Sequence, residues 1–174
     1  MKALSLWQFW ASAMAVGAKL NETRGKRTSH RGDLLIHASL RSGTAIEEIQ
    51  TSQDFGQLML ARTPGLWRPL MEIGQGTWDK LPRGCLLGVC ELWDCVPTER
   101  FIQKGKVPPG PASFFPVISE IEQGLGNYGR GRFAYRTRNM RRFKTPIPWK
   151  GAQYLFEVPN DVAAEALKES VVVS

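Results

Sequence analysis

The sequence predicts an α+β domain in which a mixed β-barrel has helices covering its ends. Short apolar or alternating segments of strand length recur along the chain, and only a few segments have helical spacing. The two kinds of segment do not alternate as the strand–helix–strand units of a parallel sheet. A chain of 174 residues, 43% hydrophobic and 22% charged, is long enough for one domain with a substantial core.

The predicted elements follow from residue periodicity and from turn residues. Residues 1–159 form the predicted domain, and residues 160–174 form a short C-terminal helix and a tail that we expect to fray. Two connections are rich in proline and glycine: residues 63–84, where we expect short helical turns, and residues 97–116, a predicted flexible surface loop. The predicted strands are Ala3–Trp7, Leu20–Arg24, Leu34–Ala38, Cys85–Val96, Arg132–Arg138 and Tyr154–Val158. The predicted helical segments are Trp10–Val16, Thr44–Arg62, Val117–Gln123 and a helix capped by Asn160 or Asp161 that ends near Lys168.

The three cysteines, Cys85, Cys90 and Cys95, lie five residues apart, which fits neither a disulfide framework nor a zinc site. On a regular strand Cys90 would face away from the other two. We expect reduced thiols in a cytoplasmic protein. The chain has only two histidines, so a histidine-based metal site is not expected, and His37 is interpreted as a core histidine bonded to backbone. We expect no metal site and no cofactor.

The apolar run over residues 3–18 resembles a secretory signal, but Gln8 and two tryptophans interrupt it. Cleavage after it would also remove the first strand and helix. The run is too short for a membrane span. We therefore interpret it as a strand followed by a buried helix, and we expect a monomer that does not bind membranes.

The positive charge is concentrated in one part of the chain. The chain has 23 Lys and Arg residues against 16 Asp and Glu, a net charge of +7. The segment from Gln123 to Phe156 contains no acidic residue, and the rest of the chain is close to neutral. Such a local excess favours a surface that faces a polyanion. The basic residues of this segment are Arg130, Arg132, Arg136, Arg138, Arg141, Arg142, Lys144 and Lys150.

Within this segment, strand alternation places Phe133 and Tyr135 towards the core and Arg132, Arg136 and Arg138 on the other face. A solvated strand face explains this pattern, but like charges on one face repel each other. Because no acidic residue is near in sequence, we expect that bound phosphates relieve the repulsion.

A charged cluster follows the first predicted helix. Lys19 lies near the helix C-terminus, where a cation is favoured, and Glu22 and Arg24 share one face of the next strand. The three charges can therefore converge at one mouth of the fold. The alternative is an ordinary surface ion pair with a capping lysine, which contributes little to stability.

Gly17, Lys19, Glu22 and Arg24 fit the GxKxxExR motif, and on this motif the chain resembles the ASCH domain family. Five further blocks resemble the family in the same order. They are Met1–Gln8, Arg31–Ala38, the central strand with Leu81–Gly84 and Gly88–Cys95, and the closing strands at Gly131–Tyr135 and Pro146–Gly151. The resemblance implies a PUA-like mixed β-barrel with helices covering the barrel ends and a cleft beside the first helix, which the motif would line.

The resemblance also implies that the cleft binds RNA or a nucleotide. Cationic side chains would contact phosphates, and aromatic rings would stack on unpaired bases. The candidate cations are Lys19, Arg24, Lys26, Arg27, Arg31, Arg132 and Arg136. The candidate stacking residues are Trp7, Trp10 and Tyr128.

Two alternatives remain open. The first, which the resemblance also implies because some relatives hydrolyse acetylated cytidine or cleave RNA, is a ribonuclease or amidohydrolase-like enzyme. Lys19 would be its base or nucleophile, and Glu22 would orient Lys19 or transfer a proton. In the amidohydrolase relatives a threonine stands at the position of Glu22, which argues against that particular reaction. The second alternative is a protein-interaction adaptor that uses the Pro108–Pro111 loop.

Overall fold

The computed structural model describes residues 1–41, 72, 80–101 and 116–173. The helix predicted after Ser42, most of the connection over residues 63–84 and the interior of the loop over residues 97–116 lie outside these residues.

Most predicted strands and helices are present within one or two residues of their expected bounds. The largest difference is β5, which continues ten residues beyond the predicted end at Arg138. The elements in chain order are β1 Lys2–Leu6, α1 Trp10–Ala15, β2 Asn21–Arg24, β3 Gly32–Ala38, β4 Cys85–Pro97 with a 3-10 turn at Thr98–Arg100, α2 Glu120–Leu125, β5 Phe133–Pro148, β6 Leu155–Glu157, α3 Asn160–Lys168 and β7 Val171–Val172.

The strands of the described residues form one mixed sheet in the order β2-β5-β4-β3-β1-β6, with β7 paired to β5. Strands β1 and β3 are parallel, and the other neighbours are antiparallel. The sheet curls so far that Arg24 on the edge strand β2 donates a hydrogen bond to the carbonyl of Ser5 in β1, at 2.7 Å. The structure is therefore a strand-dominated, curled sheet with few helices in its described part.

The central strand β3 is buried on both faces. Leu34 and Ile36 pack in the concave core together with Met14 of α1. Leu35 faces the opposite core, which Ala163 of α3 helps to cover. A strand that is covered on both faces reads as a continuous apolar run, which is the pattern seen at residues 34–36.

Strand β4 does not alternate regularly, and the prediction that Cys90 faces away from the other two cysteines is wrong. Cys85, Cys90 and Cys95 all lie in the concave core. The pairing of β4 with β3 has one extra β4 residue between Leu86 and Gly88, and the pairing with β5 has another between Leu92 and Asp94. Each extra residue reverses which face the following side chains occupy. Burial raises the pKa of Cys85 to about 11 and that of Cys90 to about 12, so both remain thiols at neutral pH.

The chain end also differs from the prediction. Instead of fraying, Val171 and Val172 pair with β5 as β7, and the amide of Val173 donates to the carbonyl of Met140. Neither Asn160 nor Asp161 caps α3, because the residue at the N-cap is Pro159.

Gly88 occupies the first irregularity of β4, where the backbone of β5 comes closest. A Cβ atom at this position would lie 2.4 Å from the carbonyl oxygen of Arg141. We expect Gly88→Ala to lower the free energy of unfolding by about 1–3 kcal/mol, since an extra carbon in a tight site forces backbone shifts. Urea unfolding followed by tryptophan fluorescence measures this change.

Gly25→Ala is the matched control, because a Cβ atom at Gly25 would meet no atom within 4 Å. Equal stability of the Gly88→Ala and Gly25→Ala variants would contradict the proposed close contact between β4 and β5.

Candidate functional site

Three adjoining cavities of about 990, 530 and 400 Å³ meet at the side chain of Arg24. Each pair of cavities shares at least one further residue: Trp7 lines the first and second, Tyr154 the first and third, and Arg132 the second and third. We call these three connected cavities the Arg24 cleft. Its combined size suits a ligand larger than a single small metabolite.

The local sequence explains the position of Arg24. Gly17 adopts a left-handed φ of 73° at the end of α1, which turns the chain towards β2. Alternation along β2 then places Glu22 and Arg24 on the same face, as predicted. Glu22 Oε1 lies 3.0 Å from Arg24 Nε, and the Arg24 guanidinium also donates to Ser5. The guanidinium is therefore held from two sides, with about a third of its side chain exposed.

Lys19 belongs to the same charge cluster but lies in the protein interior. Its side chain is fully buried, and its Nζ lies 3.4 Å from Glu22 Oε2. The ammonium donates to the carbonyls of Asn21, at 2.5 Å, and Leu125, at 2.9 Å. The two carbonyls thus take up two of the three N–H donors of the ammonium, and the Glu22 carboxylate faces it as an ion pair. Lys19, Glu22 and Arg24 thus meet as the sequence predicts, but Lys19 lies under the cleft and does not line it.

One wall of the cleft is held by a buried carboxylate that the sequence analysis did not assign. Ser119 caps α2 by accepting a hydrogen bond from the amide of Glu122. The Glu122 carboxylate accepts hydrogen bonds from the Leu20 amide, from Asn21 Nδ2 at 3.0 Å and from the Tyr128 hydroxyl at 2.9 Å. Together with the bond from Lys19 to Leu125, these contacts fix α2 against β2. They thereby position Gly124–Asn127, at the end of α2 and just after it, in the wall of the cleft.

The three aromatic candidates differ in position. Trp7 is 47% exposed and lines two of the cavities. Trp10 is half-buried, lines one cavity and packs beside Phe9, with the ring centroids 5.0 Å apart. Tyr128 is buried, and both burial and the Glu122 carboxylate raise the pKa of its hydroxyl. Tyr128 therefore serves the α2 network, and its ring has no open face for stacking.

The cleft carries more basic side chains than the motif alone indicates. Among the described residues that line it, Glu22 is the one carboxylate, and this carboxylate is already paired with Lys19 and Arg24. The cations that line the cleft are Arg24, Lys26, Arg41, Arg83, Arg132 and Lys150. Sequence reasoning missed Arg41, Arg83 and Tyr154 as cleft residues, because only the tertiary fold brings them to β2.

The remaining predicted cations lie elsewhere. Arg27 is exposed in the turn after β2. Arg31 and Arg136 both approach Asp94, at 3.6 and 3.7 Å, and Arg136 stacks over Trp93 at 4.1 Å from the ring centroid. None of the three lines the Arg24 cleft.

The expectation that the β5 arginines have no acidic neighbour is wrong. The register of β4 and β5 sets Asp94 opposite Arg136 and Glu91 opposite Arg138. Glu91 accepts two hydrogen bonds from Arg138, at 2.9 and 2.7 Å, and this contact lowers the pKa of Glu91. The acidic partners come from the neighbouring strand, so bound phosphate is not needed to relieve repulsion at these positions.

His37 lies in the wall of the cleft, almost fully buried, and joins three segments. Burial lowers the pKa of His37 despite its bond to the Trp149 carbonyl, so the imidazole is neutral at physiological pH. A carbonyl only accepts, so Nε2 carries the proton and donates to Trp149, and Nδ1 accepts from the Ser5 hydroxyl; both distances are 3.0 Å. His37 is thus a core histidine bonded to backbone, as predicted, and it fixes the segment around Lys150 and Tyr154 beside the cleft.

The described residues contain no group of three or more His, Cys, Asp or Glu side chains placed to hold a metal ion. Within the same part of the chain, none of the helices has both the length and the apolar character that crossing a membrane requires.

Removing the Lys19 ammonium tests whether this residue supports the site or takes part in it. We expect Lys19→Met to lower the free energy of unfolding by roughly 3 kcal/mol, because Glu22 and two buried carbonyls lose a partner. Thermal and urea unfolding measure the change.

Lys2→Met is the matched control, because Lys2 pairs with the exposed Glu157 and removal of an exposed ion pair has little effect. A Lys19→Met variant as stable as the Lys2→Met variant would contradict the structural role of Lys19.

The chain is similar to a known domain family and to curated proteins. The model of the ASCH domain matches residues 4–141, well over half of the chain. Activating signal cointegrator 1 from Homo sapiens and the protein of the same name from Mus musculus are each 26% identical to the chain over 167 residues, or 95% of its length. The match takes in 23% of either relative, so the chain spans about a quarter of the length of these curated relatives. With its GxKxxExR motif, whose Lys19, Glu22 and Arg24 side chains meet, the chain belongs to the ASCH domain family.

Proposed function

We propose that this protein binds single-stranded nucleic acid, chiefly RNA, in the Arg24 cleft. The observation that carries the proposal is the convergence of three cavities on one oriented guanidinium. That guanidinium lies among five further cations, and an exposed tryptophan stands at the edge. Arginine presents a planar fork of donors that suits phosphate oxygens, and an aromatic ring beside it suits an unpaired base.

The charge distribution supports the same proposal. Outside the cleft, Arg136 and Arg138 are paired with carboxylates of β4. Among the described residues that line the cleft there are six cations and one carboxylate, Glu22, so the net charge of this lining is strongly positive. A concave surface of one sign concentrates the field and attracts a polyanion.

The position of Lys19 favours binding over hydrolysis. A general base or nucleophile must reach the reacting atom, at hydrogen-bond distance or through one water molecule. The Lys19 ammonium is enclosed, donates to two backbone carbonyls and is paired with Glu22. We therefore propose a binding module, with Arg24 in place of Lys19 as the ligand-contacting residue of the motif.

We further infer that the curled sheet is a PUA-like barrel whose ends are covered by helices. The bond from Arg24 to Ser5 supports this inference, since it bridges strands from the two sides of the sheet opening. Helix α1, which packs against the concave core, also supports it.

The salt dependence of binding tests the proposal. We expect the affinity for a fluorescein-labelled single-stranded RNA of eight nucleotides to fall with salt, with a log–log slope of roughly −0.7 per phosphate neutralised. Arg132→Gln should weaken binding and reduce this slope by about 0.7, because one cation of the cleft is lost. Fluorescence polarisation between 50 and 200 mM salt measures both quantities.

Arg138→Gln is the matched control, since it removes a β5 arginine that lies outside the cleft and pairs with Glu91. The proposal predicts an unchanged slope for Arg138→Gln. Salt-independent binding, no binding, or equal losses in the two variants would overturn it.

A further inference from the structure

Tyr154 combines a strained backbone with an exposed ring. Its backbone lies in the left-handed region with φ 61°, which is strained for a bulky residue. Its side chain is also 62% exposed, so the ring gains little from burial. Neither local geometry nor core packing explains a tyrosine here. The residue lies beyond the part of the chain that matches the family model.

The ring of Tyr154 stands at the cleft and is held in place. It lines the cavities of about 990 and 400 Å³. The Lys26 ammonium lies 4.6 Å from its ring centroid, a cation–π contact that occupies one of the two ring faces. The Tyr135 hydroxyl donates to the Lys26 carbonyl at 2.8 Å, which ties the turn carrying Lys26 to the sheet.

Trp7 is a second exposed ring that lines the cleft. It lines the cavities of about 990 and 530 Å³, so Trp7 and Tyr154 each border two of the three cavities. Arg24 borders all three. All three side chains line the cavity of about 990 Å³, so this one cavity presents two exposed aromatic rings and a guanidinium. A dinucleotide carries the matching groups, which are two bases and a linking phosphate.

We propose that the Arg24 cleft holds two consecutive unpaired nucleotides of one strand, with one base on Trp7, the next on Tyr154 and the linking phosphate on Arg24. This inference rests on the proposed function and adds the form of the ligand. A base pair within a duplex is stacked on its neighbours, so its ring faces are not open to either side chain.

Dinucleotides that lack one base test the inference. The ligands are a diadenosine RNA dinucleotide with a 5′-phosphate and its two analogues, abasic at the first or at the second position. We expect Tyr154→Asn to weaken binding of the complete ligand and of one abasic analogue by about 5- to 150-fold, the effect of one stacked base. The other analogue should bind as it does to the unchanged protein. NMR titration measures these weak affinities.

Asparagine adopts the left-handed backbone more readily than most non-glycine residues, so this variant should fold. Trp7→Ala should show the opposite preference between the two abasic analogues. Tyr154→Phe keeps the ring and should bind all three ligands normally. Trp93→Ala, which removes an exposed ring outside the cleft, should also leave the preference unchanged.

An equal effect of Tyr154→Asn on all three ligands, or no effect, would overturn the two-base arrangement. If Arg132-dependent and salt-dependent binding of the longer RNA persists in that case, the proposed function stands and only this inference fails. If the longer RNA does not bind either, the proposed function itself is wrong.

Discussion

The site depends on a chain of charges that begins in the core and ends in the cleft. A buried ammonium, Lys19, needs a nearby carboxylate, and Glu22 provides it at 3.4 Å. The same carboxylate faces Arg24 at 3.0 Å, so one acidic group orients both cations. Because Lys19 is enclosed and Arg24 is partly exposed, these paired charges hold an oriented guanidinium at the surface.

The same contacts also build the fold around the site. Arg24 bridges β2 and β1 through the Ser5 carbonyl, and Lys19 holds the end of α2 through the Leu125 carbonyl. Glu122 of α2 adds a second link to β2, since it bonds to Asn21, and it also bonds to Tyr128. Preorganisation of this kind reduces the entropy that is lost when a ligand binds, since the walls of the cleft are already in place.

The sequence predicted the parts of the molecule that local patterns determine. The strand β2 with Glu22 and Arg24 on one face, the buried strand β3 and the core position of His37 follow from alternation and composition. Features that depend on partners distant in sequence could not be predicted. The acidic partners of Arg136 and Arg138 come from β4, some 40 residues earlier, and the irregularities of β4 reverse the face of Cys90. Tyr154 had no local signal, because its importance arises only where it meets Arg24.

The measurement that bears most directly on the role of Arg24 is a proton–nitrogen NMR titration with a short single-stranded RNA. Two exposed indoles serve as internal reporters, Trp7 at the edge of the cleft and Trp93 outside it. If the ligand binds in the Arg24 cleft, we expect saturable shifts of the Arg24 Nε and Trp7 Nε1 signals, with the Trp93 signal unchanged. Shifts confined to Trp93, with Arg24 and Trp7 unaffected, would contradict it.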